Sequence, residues 1–600
     1  MTTHAERHIY AFDLAPETLW LAVSDTDAFD RDTGLPPARY RYEPRESGPP
    51  AAVAEARLGP FGTEWDEAPL AWEAPQRLAV ERRFRRGPVT RYSAELRIFG
   101  DGAGARLEHS VELETRDAVG ALLARPLLAV ARARVERGYR QAEKRARALP
   151  QNGARGDLAE VPPASIAGVA RFVDALEALQ THTEDEPAIA AHLAALIEHA
   201  PRASLARMRP YDVADAWNLP REHVVAAMLG AARAGLLTLF WTIVCPRCRV
   251  PRAAVQALSA LGPTVHCEIC GITFAGDFDR NVELTFEVPS SAGKPEAGGP
   301  RPLRPQAARQ ILAQRSIEAG GTAAFDVVLR PGAYVVQVLP DRIARFTVEE
   351  DAGAAALDAR IGSARVSAGA SVVRAGTVRL QISNTSADDA VVRVVEAELS
   401  RSMATAARVT ALQVFRDLFP DEVFADGVQG AIRSLTFVCS EVVGLDQLAA
   451  DFGDAHAARI VRSTLDALRE PIVSGRGAIV KTSGDGLTAV FAEPCDAVEA
   501  ALRFGEAAAP LELRIALDRG PCVALTANGR LDYFGATVNH AARLARAARA
   551  GELLLTNVLA EDPRVSELLP TAERGVVTLR GVLQPVDVLR LRTAAAAPAR

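Results

Sequence analysis

The sequence has few cysteines, no long apolar run and no excess of basic charge. Seven cysteines among 600 residues are too few for a disulfide framework and favour a reducing compartment. Lys and Arg number 69 against 75 Asp and Glu, whereas nucleic-acid-binding domains usually carry a clear basic excess. The best membrane candidate, 224–244, is interrupted by Arg233, and the first residues carry charges where a signal peptide needs apolar side chains. We therefore expect a cytoplasmic protein with no membrane span and no nucleic-acid partner.

The composition is that of a soluble globular chain that is too long for one core. Apolar residues make up 48% and charged residues 24%, and about 150 residues per domain gives a prior of several domains. The patterning predicts a multidomain α+β protein. The predicted segments are a helix-and-strand domain at 1–148, a helical module at 185–244, a cysteine-bearing segment at 245–288, a Pro/Gly-rich linker at 289–312, a small β-sandwich at 313–400, a connecting helix at 401–432 and a C-terminal domain at 433–595.

The N-terminal segment combines strand-like alternation with a long helical pattern. Apolar and polar residues alternate around Ile98 and Leu107, which predicts half-buried antiparallel strands, and a helix is expected over 117–148. The stretch ETLWLAVSDTDAFDRDTGLPP, at 17–37, resembles the N-terminal end of START-like helix-grip domains. The resemblance implies an apolar ligand held between sheet and helix, and therefore a sensor. A packed domain without a ligand is the alternative, because fold does not determine function.

The helical module has the order helix, helix, strand, which looks like a winged helix. The three elements are expected at 211–218, 221–234 and 236–244. The second helix offers only Arg221, His223 and Arg233 as cations, fewer than a recognition helix usually carries. The module is therefore predicted to pack against other parts of the protein rather than to bind DNA.

Four of the cysteines form a zinc-ribbon-like pattern. Cys245 and Cys248 make one pair, and Cys267 and Cys270 make a second pair 18 residues further on. This Cys-x2-Cys spacing predicts a structural zinc site, because four thiolates close a tetrahedron and leave no open position for catalysis. A redox dithiol pair, or a ribbon without metal, is the alternative. His266 is a spare ligand candidate that we expect at the surface.

Strand and helix alternate through the last domain, which predicts a split βαβ sheet with helices on one face. Three blocks of this domain resemble the catalytic domain of the class III adenylate and guanylate cyclases. They are VKTSGDGLTAVF at 480–491, RLDYFGATVNHAARL at 530–544 and TLRGVLQPVDVLRL at 578–591. One such block would be a weak signal, whereas three in order are specific. The resemblance implies a ferredoxin-like βαββαβ domain.

The resemblance also implies two divalent ions per active site, Mg²⁺ or Mn²⁺, which prefer carboxylate ligands. The family's two metal carboxylates correspond to Glu441 and Asp485, and the carbonyl of Val442 corresponds to a further ligand. Glu441 stands where the family has Asp. Because Mg²⁺ tolerates little distortion of its octahedron, the extra methylene is expected either to lower the rate or to favour Mn²⁺.

The remaining family positions contact the nucleotide. Lys481 would donate to adenine N1 and Asp532 would accept from the N6 amine, which favours ATP over GTP. Asn539 would orient the ribose, and Arg543, one helical turn later, would stabilise charge on the α-phosphate. Arg580 corresponds to the basic residue that contacts the terminal phosphates.

The resemblance implies an adenylate cyclase that makes cyclic AMP and pyrophosphate from ATP under the control of its N-terminal domains. It also implies a head-to-tail homodimer, because in the family each site is completed across a two-fold interface. The alternative is a degenerate nucleotide-binding or scaffold protein with a ligand-sensing START-like domain. Taken singly, each site residue could equally be a strand end, a turn acid or a helix cap.

Overall fold

Five sheets organise the part of the chain that the computed structural model describes, the largest with 13 strands and the next with eight. The described residues are 2–34, 38–45, 49–58, 61–102, 104–147, 162–177, 185–200, 205–289, 302–339, 342–397, 402–425, 427–579 and 584–593. The predicted boundaries at 148, 400, 401 and 595, and half of the predicted linker, lie outside these residues. Among the described helices none is both long and apolar enough to cross a membrane.

The N-terminal module is an antiparallel sheet with one long helix. Its elements are β1 (Thr2–Phe12), α1 (Pro16–Val23), α2 (Thr26–Thr33), β2 (Arg39–Glu43), β3 (Ala51–Leu58), β4 (Phe61–Glu67), β5 (Ala71–Glu73), β6 (Arg77–Phe84), β7 (Val89–Asp101), β8 (Gly104–Thr115) and α3 (Ala118–Arg147). The short helix α2 begins where the Asp25 side chain accepts from the Ala28 amide at 3.0 Å, and it ends at left-handed Gly34. The predicted long helix at 117–148 is observed to within one residue at each end.

Aromatic rings fill the space between this sheet and α3. The ring centroid of Tyr139 lies 4.9 Å from that of Tyr10, 5.2 Å from that of Phe29 and 6.4 Å from that of Phe12. Tyr139 and Phe12 are buried, together with Trp20. The structure therefore lends no support to the apolar ligand expected in this module.

The middle of the chain holds a helical module, a small three-stranded sheet and a separate two-stranded sheet. Its helices are α4 (Ile166–Glu177), α5 (Glu186–His199), α6 (Pro210–Trp217) and α7 (Arg221–Arg233), and its strands are β9 (Thr238–Val244), β10 (Pro251–Val255), β11 (Val265–Cys267), β12 (Ile272–Phe274) and β13 (Val282–Glu287). The two helices predicted at 211–218 and 221–234 are displaced by one residue at most. Every residue of α7 from Val224 to Ala231 is buried, which leaves this helix little surface to offer a DNA groove.

The β-sandwich comprises β14 (Ile311–Ile317), β15 (Thr322–Leu329), β16 (Gly332–Val338), β17 (Arg342–Glu349), β18 (Ala356–Ile361), β19 (Val366–Ala368), β20 (Val372–Arg374), β21 (Gly376–Asn384) and β22 (Ala390–Glu396). One of its sheets is continuous with the N-terminal sheet, because β14 pairs with β5. The sequence predicted two separate domains here. Strand pairing between distant segments uses backbone groups, so it leaves little trace in the side-chain pattern.

The segment expected to be one connecting helix is two short helices, α8 (Ala406–Thr410) and α9 (Gln413–Leu418). The break lies at Leu412, whose backbone is extended. It allows both helices to dock on the C-terminal module, where Arg416 Nη1 donates to the Leu531 carbonyl at 2.8 Å and the Tyr533 hydroxyl donates to Thr410 Oγ1 at 3.0 Å. These tertiary contacts outweigh the amphipathic pattern that predicted a continuous helix.

The C-terminal module is built on the eight-stranded sheet. Its elements are β23 (Gly430–Val442), α10 (Leu445–Phe452), α11 (Asp454–Ala467), α12 (Arg469–Ser474), β24 (Ala478–Ser483), β25 (Gly486–Phe491), α13 (Pro494–Ala507), β26 (Leu513–Ala527), β27 (Arg530–Phe534), α14 (Ala536–Ala547), β28 (Glu552–Thr556), α15 (Asn557–Ala560), α16 (Pro563–Glu567), β29 (Glu573–Val577) and β30 (Val586–Arg592). The order β24-β25-β23-β26 has β25 between β23 and β24, as a split βαβ unit requires. The helices α10 and α11 are separated at Gly453, which has a φ of 79°.

Helices cover both faces of this sheet, so the prediction of helices on one face was wrong. Val438 packs in one buried cluster with Phe504 of α13. The adjacent Phe437 packs in another with Phe415 of α9 and Ala541 of α14. Because successive strand residues point to opposite faces, two neighbouring buried side chains require cover on both sides.

Candidate functional site

Two acidic side chains leave neighbouring strands at one end of the eight-stranded sheet. Glu441 is near the end of β23, in register with Gly486 of β25, and Asp485 lies in the turn that joins β24 to β25. The Val442 amide donates to the Asp485 carbonyl at 2.9 Å, and the turn is closed by Gly484 with a φ of 59°. The backbone therefore places Glu441, Val442 and Asp485 next to one another at this end of the sheet. These residues offer only oxygen donors, which suit hard divalent cations, and their binding of a metal stays a prediction.

Glu441 has a partner that the sequence analysis missed. Its carboxylate lies 3.0 Å from Arg546 Nε, and Arg546 is on α14. Asn539, Arg543 and Arg546 follow one another at i, i+4 and i+7, so they share one face of α14. This spacing was the sequence signal that could have added Arg546 to the candidate site. Asn539 and Arg543 are both exposed, whereas Arg580 lies outside the described residues.

The two predicted base-contacting residues lie against each other. Lys481 Nζ donates to Asp532 at 2.9 Å from Oδ2 and 3.3 Å from Oδ1. Lys481 follows a register shift in β24, and Asp532 is on β27, which pairs only with β26 among the described strands. The Tyr533 amide also donates to Asp532 Oδ1 at 2.7 Å, which fixes the orientation of the acid. The lysine side chain is about half exposed, so the pair is accessible to a ligand.

The four clustered cysteines meet at one point. Their sulfurs all lie within 4.8 Å of one another, all four residues are buried, and Cys248 Sγ is 3.7 Å from Cys267 Sγ. Zinc bound tetrahedrally at Zn–S of about 2.3 Å would place its sulfurs about 3.8 Å apart. All seven cysteines are in the described residues and are free thiols. The cluster is therefore compatible with zinc.

Each cysteine pair is shaped by a similar tight turn. The Arg249 amide donates to the Cys245 carbonyl at 2.9 Å, and the Gly271 amide donates to the Cys267 carbonyl at 2.8 Å. Arg249 and Gly271 both have a positive φ, 61° and 65°, so glycine is the easier residue to place there. His266 is exposed, and its Nδ1 lies 3.1 Å from the Thr273 hydroxyl. It is not part of the sulfur cluster.

Comparison with known proteins gives one family match and a set of similar structures. Residues 173–323, from α4 into β15, match a family of unknown function (DUF5939), and this range includes the four cysteines. No curated protein matches. The adenylyl cyclase CyaB from P. aeruginosa is 20% identical, covers 28% of this chain and 98% of its own, and has a TM-score of 0.24.

Two other solved structures are similar to the same extent. The adenylate cyclases from Trypanosoma brucei in their monomeric state are 20% identical over 26% of this chain and 88% of theirs, with a TM-score of 0.23. The dimeric guanylyl cyclase domain of the RhoGC fusion protein from Blastocladiella emersonii is 15% identical over 28% of this chain and 98% of its own, also with a TM-score of 0.23. At these values the choice of nucleotide and the activity have to be argued from the residues of this chain.

Proposed function

We propose that the C-terminal module is a class III nucleotide cyclase that converts ATP into cyclic AMP and pyrophosphate. The observation that carries the proposal is that one strand hairpin bears both Lys481, which pairs with Asp532, and Asp485, which lies in the turn beside Glu441. Lys481 is on β24 and Asp485 is in the turn that follows it, beside Glu441. A nucleoside triphosphate needs both kinds of group, because its base is read by hydrogen bonds and its phosphates by cations.

The Lys–Asp pair supports adenine as the base. Adenine presents an acceptor at N1 and a donor at its N6 amine, which are complementary to the Lys481 ammonium and the Asp532 carboxylate. In the described structure the two side chains satisfy each other at 2.9 Å. Binding of the base would exchange this contact for two contacts with the ligand, so neither charged group is left without a partner.

The donor set fits divalent cations. Glu441, Asp485 and the Val442 carbonyl would hold two Mg²⁺ or Mn²⁺ ions, which when bound increase the acidity of the ribose 3′-hydroxyl and neutralise the triphosphate. The 3′-oxygen then forms a bond to the α-phosphorus while the bond to the leaving pyrophosphate breaks. Asn539 would orient the ribose, Arg543 would stabilise the charge that develops on the α-phosphate, and Arg580 would contact the terminal phosphates.

The ion pair between Arg546 and Glu441 should compete with the metal. Changing Arg546 to Gln is expected to tighten Mn²⁺ binding by about twofold to fivefold, because a solvent-exposed ion pair contributes only weakly. Mn²⁺ alone, followed by electron paramagnetic resonance, gives the affinity without any need for turnover. Arg462→Gln, an exposed arginine on α11, is the matched control. Equal Mn²⁺ affinity in both variants would show that Glu441 does not bind the ion.

The wider setting of the site is also a proposal. We propose a cytoplasmic homodimer in which a second copy completes each site across a two-fold interface, a single structural zinc at the four clustered cysteines, and regulation by the N-terminal modules. Phe534, two residues from Asp532, is 64% exposed. A large exposed aromatic ring beside a site is typical of a surface that another protein covers.

The second candidate function is a degenerate nucleotide-binding or scaffold protein. The observation that favours it is again at Glu441, where the family's Asp is replaced and the carboxylate is already held by Arg546 at 3.0 Å. If this carboxylate cannot leave Arg546, the first metal ligand is lost while the base pocket remains.

An assay of the full chain with each metal separates the two candidates. We expect cyclic AMP from ATP with Mn²⁺, and we expect Glu441→Asp to raise the Mg²⁺-dependent rate about threefold or more, because the shorter side chain suits the Mg²⁺ octahedron and no longer reaches Arg546 as easily. Glu506→Asp, an exposed acid on α13, is the matched control. If neither metal supports product and Glu441→Asp restores none, the scaffold function is favoured.

A further inference from the structure

The cysteine cluster lies where three parts of the protein meet. All four cysteines belong to one buried cluster with Trp20 and Trp72 of the N-terminal module, and Val391 and Val395 of the sandwich. Zinc ribbons need only their own two turns to hold a metal. Here the surroundings of the metal site also come from segments far away in sequence.

A chain of polar contacts leads from the cluster to the N-terminal module. Arg393, on β22, is 3% exposed and interacts electrostatically with Cys270. Its Nε donates to Gln314 Oε1 at 2.6 Å, and the Gln314 amide in turn donates to the Leu70 carbonyl at 2.7 Å. Gln314 is also paired with Trp72 in the short contact between β14 and β5. The pairing of β14 with β5 is therefore connected to the metal site through only two side chains, Gln314 and Arg393.

The N-terminal module also touches the cluster directly. A Cβ on Gly271, next to Cys270, would lie 3.1 Å from Pro50 Cδ. Tyr42, on β2, interacts electrostatically with Cys248 and Cys267. The second cysteine turn is thus packed against β2 and the segment that leads into β3.

Charge gives a reason for the arginines around the cluster. Four thiolates and one Zn²⁺ carry a net charge of 2−, and a buried charge is costly unless other charges compensate it. Arg247, Arg249 and Arg252 come from the ribbon itself, and Arg393 comes from the sandwich. The sandwich thus contributes a buried positive charge next to the negatively charged metal site.

The opposite side of the ribbon is attached to the C-terminal module. Arg249 Nη1 donates to the Arg280 carbonyl. Just before Arg280, the Phe278 amide donates to the Ala431 carbonyl of β23 at 3.2 Å, and the Arg433 amide donates to Asp279. The metal site therefore sits between the N-terminal module and the strand that carries Glu441.

We propose that the metal-bound cysteine cluster is a joint that holds the N-terminal module on the sandwich and ribbon, so that zinc occupancy determines whether this module is docked. The inference rests on the structural zinc proposed above. Its physical basis is that the four cysteines share one buried cluster with Trp20 and Trp72, and that Arg393 and Gln314 connect the sandwich to the Leu70 carbonyl beside that cluster.

Hydrogen–deuterium exchange of the full chain tests the joint. Zinc-loaded protein, protein treated with a chelator, and protein reloaded with zinc are compared at peptides covering 70–74 and 311–315, with zinc content measured by elemental analysis. Removal of zinc is expected to speed exchange in both peptides about tenfold or more and reloading is expected to reverse it, while β25 is unaffected. Cys495→Ser, a cysteine outside the cluster, is the control and should behave as the unmodified chain.

A variant that keeps all four clustered cysteines makes the test decisive if removal of zinc unfolds the ribbon. Arg393→Gln should retain about one zinc per chain and still show the faster exchange at 70–74, because it cuts the connection without removing a ligand. Suppose that the protein binds zinc, but that chelation and Arg393→Gln each change the exchange rates by less than about twofold. That result would overturn the joint and leave the structural zinc site standing. Absence of zinc from metal-replete, reducing preparations would overturn the structural zinc site and the joint together.

Discussion

Replacing Asp485 by asparagine is expected to lower the formation of cyclic AMP by about two to three orders of magnitude. The amide removes one of the two negative charges, on Glu441 and Asp485, that are proposed to hold the metal ions. The shape of the turn should persist, since it depends on Gly484 and on the backbone bond from Val442 to residue 485. The rate is measured on the full chain with saturating Mn²⁺ and ATP. Asp466→Asn, an exposed acid on α11, is the matched control and should retain the unmodified rate.

The same variant tests whether the site is shared between two copies. An Asp485→Asn chain mixed with an Arg543→Ala chain is expected to recover about a quarter of the unmodified rate, because random pairing yields half mixed dimers with one intact site in two. Each variant alone should remain nearly inactive. If mixing restores nothing although the chains exchange partners, the acids and the arginine act within one chain, and the composite site is wrong.

The second large effect is on the choice of base. Changing Lys481 to Glu together with Asp532 to Ser is expected to change the ratio of kcat/KM for ATP to that for GTP by about a hundredfold or more. Guanine presents a donor at N1 and an acceptor at O6, which reverses the polarity that the Lys481–Asp532 pair matches. The ratio is obtained from the products formed in an equimolar mixture of ATP and GTP.

Two further variants serve as controls for the change in base preference. Lys481→Glu alone should lose turnover of both nucleotides, because it places a second acid against Asp532, which now lies 2.9 Å from the lysine ammonium. Lys144→Glu, an exposed lysine on α3, makes the same charge change far from the site and should leave the ratio as it was. A double variant that still prefers ATP as strongly as the unmodified chain would remove Lys481 and Asp532 from base recognition.

Local patterns in the sequence predicted much of the candidate site. The block at 480–491 forms most of the hairpin of β24 and β25, and its turn presents Asp485 beside Glu441. Lys481 and Asp532 were singled out from separate blocks, and the structure brings them together. The hairpin and its turn depend on short-range turn chemistry and on strand alternation, which neighbouring residues encode. Lys481 and Asp532 are 51 residues apart, and they were assigned from the family resemblance. The roles of these residues in binding and turnover stay predictions.

Contacts between distant segments were not predictable in the same way. Arg546 lies 105 residues from Glu441 along the chain, and only the packing of α14 against β23 makes their ion pair. The continuous helix expected after the sandwich is broken at Leu412, because docking on β24 and β27 contributes more than the helical pattern within 401–432. In both cases the local structure depends on contacts with a distant part of the chain, which the sequence of the segment does not reveal.

The amino-acid sequence by itself determined where strands form, which turns carry acidic residues, and that four cysteines occur as two pairs. Tertiary structure alone decided that β14 continues the N-terminal sheet, that Arg393 and Gln314 link the thiols to Leu70, and that Arg546 holds Glu441. The reason is physical: local structure follows from backbone preference and side-chain period over a few residues. Contacts between modules form only after the helices and strands exist. They depend on which sheet edges and buried charges have complementary partners in another module.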